Sequence, residues 1–168
     1  MAHLVLTVVG DDRAGLVNAL AQKVSEAGAT WEQSELAELA GAFAGIVLVR
    51  VDDARVDEFV ASLQSLEGML KVAVHAGITA ATPAPRTLHI TVLGNDRPGI
   101  VRDVTATIAA HALSIDAFRS RTLDAPMAGG ILFEATVEVS IPEGADAAVI
   151  RRALEALAGE IQVDLSVE

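Results

Sequence analysis

Residues 3–9 (HLVLTVV) are apolar and largely β-branched and stop at Gly10, the pattern of a buried strand. From Gly15 the period changes. Leu16, Val17, Leu20, Val24 and Ala27 fall on one side of a helix, and Gly28 supplies its stop. Two stretches, 30–39 and 44–51, read as a strand pair with residues 40–43 around Gly41 as the turn, and the second, with GIVLVRV, is the clearer strand. Asp52 or Asp53 is placed to cap a second helix whose apolar side is Val56, Phe59, Val60, Leu63 and Leu66, ended by Gly68. A strand over 70–75 closes this half.

The pattern then repeats. Residues 4–16 read LVLTVVGDDRAGL and residues 88–100 read LHITVLGNDRPGI; at an offset of 84 residues Leu4, Thr7, Val8, Gly10, Asp12, Arg13 and Gly15 meet Leu88, Thr91, Val92, Gly94, Asp96, Arg97 and Gly99. Ile100, Val101, Val104 and Ile108 follow with the helical spacing of Leu16, Val17, Leu20 and Val24. Strands are expected over 113–123 and 131–141, joined by DAPMAGG, whose proline and paired glycines suit a turn. Pro142 stops the second of them. A helix over 145–158 turns Val149, Ile150, Ala153, Leu154 and Leu157 inward, and a strand over 161–167 alternates apolar and polar residues. Residues 80–86, AATPAPR, have the composition of an extended linker. The chain therefore reads as two domains, 1–79 and 87–168, each ordered βαββαβ. That order is the ferredoxin-like α+β sandwich, an antiparallel sheet with both helices on one face. The other sheet face is left bare, which points to association of the domains and to a homodimer.

Composition narrows the function classes. The chain is 52% hydrophobic and 21% charged over 168 residues, the balance of a compact protein. Its longest apolar runs fall well short of the roughly 18 residues a membrane span needs. The start lacks the basic opening of a secretory signal, so a cytoplasmic, membrane-free chain is expected. The net charge of −11 is shared, with 11 acids and 5 bases up to Thr82 and 12 and 7 after it. Neither half is basic, which argues against direct nucleic-acid binding. With no Cys, no Tyr and four scattered His, no nucleophile or metal cluster stands out, so no enzyme activity, cofactor or metal is expected.

The repeated loop carries the candidate chemistry. A helix start offers unpaired backbone N–H groups, Arg13 and Arg97 offer a fork for a carboxylate, and Asp12 and Asp96 can accept from an ammonium group. The two charged ends of an amino acid would both be met. A purely structural reading is open as well: Asp caps the helix, Pro98 sets its first turn, glycine allows the bend and Arg pairs with Asp. The G-x-x-x-x-G spacing at 10–15 lacks the Lys and Ser or Thr of a phosphate loop. Asp11–Asp12 and Asp52–Asp53 read as helix-start charges rather than metal ligands. Trp31 reads as packing.

GNDRPGI after a first strand, within βαββαβ, resembles the opening of an ACT domain, and the resemblance covers both halves, with Ala14 where the pattern has proline. Two such domains with no catalytic domain, together with APMAGGILF at 125–133, look most like the glycine cleavage system transcriptional repressor family. The resemblance implies amino-acid sensing or protein–protein regulation, with ligands held at domain interfaces near the first loop. Carried over, the ligand-binding positions are Asp12, Arg13, Ala14, Gly15 and Leu16, and Asn95, Asp96, Arg97, Pro98, Gly99 and Ile100. The implied partners are a small amino acid, glycine or serine, and a regulatory protein that holds the DNA. The alternative is a regulatory subunit that binds an amino-acid metabolic enzyme.

Overall fold

The computed structural model describes residues 1–77, 86–125, 129–141, 146–156 and 161–167. The chain divides into two compact units, Met1–Ala81 and Thr82–Glu168. The first contains β1 (Ala2–Asp11), α1 (Leu16–Glu26), β2 (Thr30–Leu39), β3 (Ala42–Val51), α2 (Val56–Leu63) and β4 (Lys71–Ala76). The second contains β5 (Arg86–Asn95), α3 (Ile100–Ala110), β6 (Ser114–Asp124), β7 (Ile131–Ile141), α4 (Ala147–Glu155) and β8 (Ile161–Val167). Each unit forms a four-stranded antiparallel sheet, ordered β2-β3-β1-β4 and β6-β7-β5-β8. This is the α+β, ferredoxin-like sandwich that the order of elements predicts.

Strand alternation builds the core. Leu4, Leu6 and Val8 of β1 and Val47, Val49 and Val51 of β3 meet Leu16, Leu20, Val24, Phe59 and Leu63 from the helices. In the second unit Leu88, Ile90, Val92, Val137 and Val139 meet Ile100, Val104, Ile108, Ile150 and Leu154. Among the described residues no polar or charged side chain is buried. Trp31 and Leu36 pack on the first core, and a bulge between Trp31 and Gln33 keeps both on the helix side.

Several expectations change in detail. Val17, Val101 and Val149 belong to apolar runs, yet they are 43%, 42% and 42% exposed. Each stands one residue from a buried neighbour, and one residue along a helix is a rotation of about 100°. The first strand pair runs further than expected, because Ala40 and Gly41 both take positive φ (52° and 84°) and close a two-residue hairpin. The second helix stops at Leu63 and tightens into a 3-10 turn, Gln64–Leu66, that still buries Leu66. Asp52 caps the preceding 3-10 turn, its carboxylate accepting from the Ala54 N–H at 3.3 Å. Most of the expected linker (80–85), the turn residues 126–128, and Leu157 and Ala158 of the expected last helix lie outside the described residues, while Arg86 already belongs to β5.

Candidate functional site

In both repeats the loop joins the first strand to the first helix through a glycine in the left-handed region, Gly15 at φ 93° and Gly99 at φ 84°. A side chain is disfavoured there for backbone reasons, which explains the repeated glycine. At Gly15 a Cβ would meet nothing within 4 Å, so the space above the turn is open. Neither α1 nor α3 receives a side-chain cap. The capping role considered for Asp12 and Asp96 is therefore not what the structure shows. Their backbone N–H groups instead donate across to the strand-pair end of each sheet, Asp12 to the Gly41 carbonyl and Asp96 to that of Ile131, both at 2.8 Å. Pro98 stands just before the N-cap glycine rather than in the first turn.

In the first repeat Asp12, Ala14 and Gly15 lie exposed on the loop, and Leu16 is buried in the core. Arg13 turns toward the segment after the 3-10 turn and donates from Nη2 to the Gly68 carbonyl at 3.0 Å. It lines a cavity of about 410 Å³ with Val9, Gly10, Asp11, Ala42, Gly68, Met69, Leu70 and Lys71. Val9, Met69, Leu70 and Ala42 give apolar walls, Arg13 and Lys71 give two cations, and Asp11 gives a carboxylate. Gly10 lets the walls meet, because a Cβ there would come within 2.5 Å of the Met69 carbonyl oxygen. Lys71, Gly68 and Asp11 were not singled out as site residues from the sequence; the recurrence of Gly10 as Gly94 was the one signal that something presses on the strand end.

In the second repeat Asn95, Asp96, Pro98 and Gly99 are exposed, Arg97 is half-buried and Ile100 is buried in the core. Arg97 pairs with Asp103 rather than Asp96: its Nη1 donates to Oδ2 at 2.8 Å. Arg102 donates to the other oxygen of Asp103 from Nε and Nη2 at 3.0 and 2.9 Å. These hydrogen bonds, from Arg97 first and then Arg102, hold the Asp103 carboxyl below the ordinary carboxylate range.

Among the described residues no group of three or more His, Asp or Glu is arranged to hold a metal ion, and no helix is long and apolar enough to cross a membrane. Of the histidines, His3 lies 3.3 Å from Glu32 on the sheet, and His111 ends α3.

The chain is 29% identical, over 98% of its own length and 88% of the relative's, to the glycine cleavage system transcriptional repressor of Escherichia coli (strain K12). A crystal structure of a protein from Galdieria sulphuraria, described as unknown, superposes with a TM-score of 0.87 at 29% identity, covering 99% of this chain and 98% of that one. A crystal structure of a protein provisionally named as a glycine cleavage system transcriptional repressor superposes with a TM-score of 0.71 at 20% identity, over 99% of this chain and 97% of that one, which bears on the fold. The ACT domain model matches residues 2–77 and again 86–168, the two βαββαβ units described above. The chain thus belongs to the ACT domain family, with two ACT domains in tandem.

Proposed function

We propose that this chain is a non-enzymatic regulatory protein that senses a small amino acid, glycine or serine, and acts through a partner protein in the control of glycine cleavage or one-carbon metabolism. The observation that carries the sensing role is the first-repeat cavity. Arg13 and Lys71 line it together with Asp11, so one concave site offers both charges that an amino acid's carboxylate and ammonium groups require. Calorimetric titration with glycine, serine and other small amino acids tests this. Arg13→Ala should weaken binding by about 1.5–3 kcal/mol, the scale of a lost charge-assisted hydrogen bond. No heat with any amino acid would leave the cavity without a ligand role.

The similarity to the E. coli repressor supports transcriptional control, and the net charge of −11 favours a route through a protein that holds the DNA. Affinity purification from the native cell separates this from the alternative of a regulatory subunit: a transcription factor as bound partner supports the first, a metabolic enzyme the second. A gel shift at about 50 mM salt that shows tight binding by the chain without a partner would overturn the partner route.

A homodimer through the first sheet is part of the same reading. The face turned away from the helices is apolar at its centre, with Val5, Ile46 and Leu48 together and Val9 and Ile46 47% and 49% exposed. Its β2 edge carries Glu35 and also Glu32, which pairs with Arg50 of β3 at 2.6 Å, and its β4 edge carries Lys71 and His75. A twofold axis along the strands lays β2 of one copy over β4 of a second and Leu48 over Val5. The corresponding face of the second unit carries Arg121–Glu134 and Arg119–Glu138 pairs at 2.7 and 3.5 Å, as the first carries Arg50–Glu32 at 2.6 Å beside its apolar centre. Light scattering should give a dimer that Ile46→Lys dissociates; a monomer at high concentration would sink this part.

A further inference from the structure

The two repeats carry the same loop but dispose of its arginine differently. At the 84-residue offset Asp103 stands where the first repeat has Ala19, and Arg102 where it has Asn18. The helices match along their length: Leu16, Leu20 and Val24 are buried in α1, and Ile100, Val104 and Ile108 in α3. Strand register gives one more equivalence. Val9 pairs with Lys71 and Leu93 with Gln162, so the cation at the cavity of the first repeat has an uncharged counterpart in the second.

The consequence is electrostatic. In the first repeat Arg13 donates to a neutral carbonyl, that of Gly68, and has no carboxylate partner among the described residues. In the second repeat the fork of Arg97 is met by Asp103 at 2.8 Å, and Arg102 holds the same carboxylate by two more hydrogen bonds. Asp103 supplies, from within the chain, the group that a ligand carboxylate would supply from outside. We propose that the repeats are functionally unequal: the first takes the carboxylate-bearing ligand, and the second is kept closed by Asp103, which occupies Arg97 as an internal carboxylate.

This rests on the amino-acid reading of the first cavity. An incoming carboxylate at the second repeat would exchange one anion for another on Arg97 and gain little, while leaving Asp103 to Arg102. At the first repeat it meets two cations, Arg13 and Lys71, against the one carboxylate of Asp11, and it displaces at most the contact to Gly68. Like any aspartate, Asp103 is ionised at neutral pH, and three hydrogen bonds from Arg97 and Arg102 fix its carboxylate in place, so the second site stays shut. The identity of residues 19 and 103, rather than the loop motif itself, then decides which repeat binds.

Calorimetric titration of the full chain with glycine and serine tests it. The expected stoichiometry is one ligand per chain, rising to two in Asp103→Ala. Ala19→Asp, which copies the lock into the first repeat, should weaken binding at least tenfold. Arginine side-chain NMR of the free protein gives a second readout, in which the Arg97 guanidinium rotates more slowly than that of Arg13 and loses the difference in Asp103→Ala. Two ligands per chain in the unmodified protein, or equal mobility of the two arginines, would overturn the inference while leaving the sensing role intact. Heat from neither the unmodified chain nor Asp103→Ala would overturn both.

Discussion

Gly10→Ala puts the architecture of the cavity to a quantitative test. Gly10 sits at the end of β1, and a methyl group there would lie 2.5 Å from the Met69 carbonyl oxygen and 3.2 Å from a Leu70 methyl. A relaxed carbon–oxygen contact sits at about 3.3 Å, so the Met69 carbonyl has to retreat by roughly 0.8 Å. Leu70 is buried in the core, so the strain falls on packed backbone rather than on a mobile side chain. Overpacking of this kind costs about 1–3 kcal/mol, which for a unit of this size lowers Tm by roughly 5–20 °C. Trp31 is the single tryptophan and packs on the first core, so its fluorescence during urea unfolding reports on that unit. The displaced segment also carries the Gly68 carbonyl that receives Arg13, so ligand affinity should fall with stability. Gly41→Ala separates backbone conformation from space: it meets φ 84° but no atom within 4 Å, and should cost about 1–2 kcal/mol. Unchanged stability and unchanged affinity in Gly10→Ala would refute the packing argument.

Three further outcomes are expected. Gly45→Ala drives a Cβ into the Glu35 carbonyl oxygen and the Leu36 backbone and should cost about 3 kcal/mol or more, seen as an early Trp31 transition. Leu6→Ala, at a fully buried position of β1, should lose about 2–5 kcal/mol in the same assay. Asp103, with its pKa depressed in the fold, contributes stability above its unfolded pKa of about 3.9 and loses it as pH falls through the lower folded value. An NMR titration should therefore place the Asp103 midpoint below about 3.9, and Arg97→Ala should raise it; a midpoint that ignores the substitution would remove the ion pair from the account.

The order of elements, the repeat and most of the core were legible in the sequence. Strand and helix periods are local properties: Leu4, Leu6 and Val8 alternate, and Leu16, Leu20 and Val24 recur every turn, because burial selects one face of a regular backbone. The same rule marks its own failures. Val17, Val101 and Val149 are apolar without being buried, and only the neighbours packed on a helix decide how wide its inward face is. The Asp-Arg-x-Gly loop was visible as a motif, and its glycine could be tied to a left-handed turn. What the motif could not decide is where each arginine goes. Arg13 reaches Gly68, 55 residues away, and Lys71 and Asp11 join it because β4 pairs with β1 in one register. Arg97 passes over Asp96 beside it for Asp103, six residues on, because the first turn of α3 raises that carboxylate beside the guanidinium and Arg102 holds it there. Charge pairing depends on distances of a few ångströms between side chains whose backbones are placed by the whole sheet and helix layer, and those distances exist only once the chain has folded.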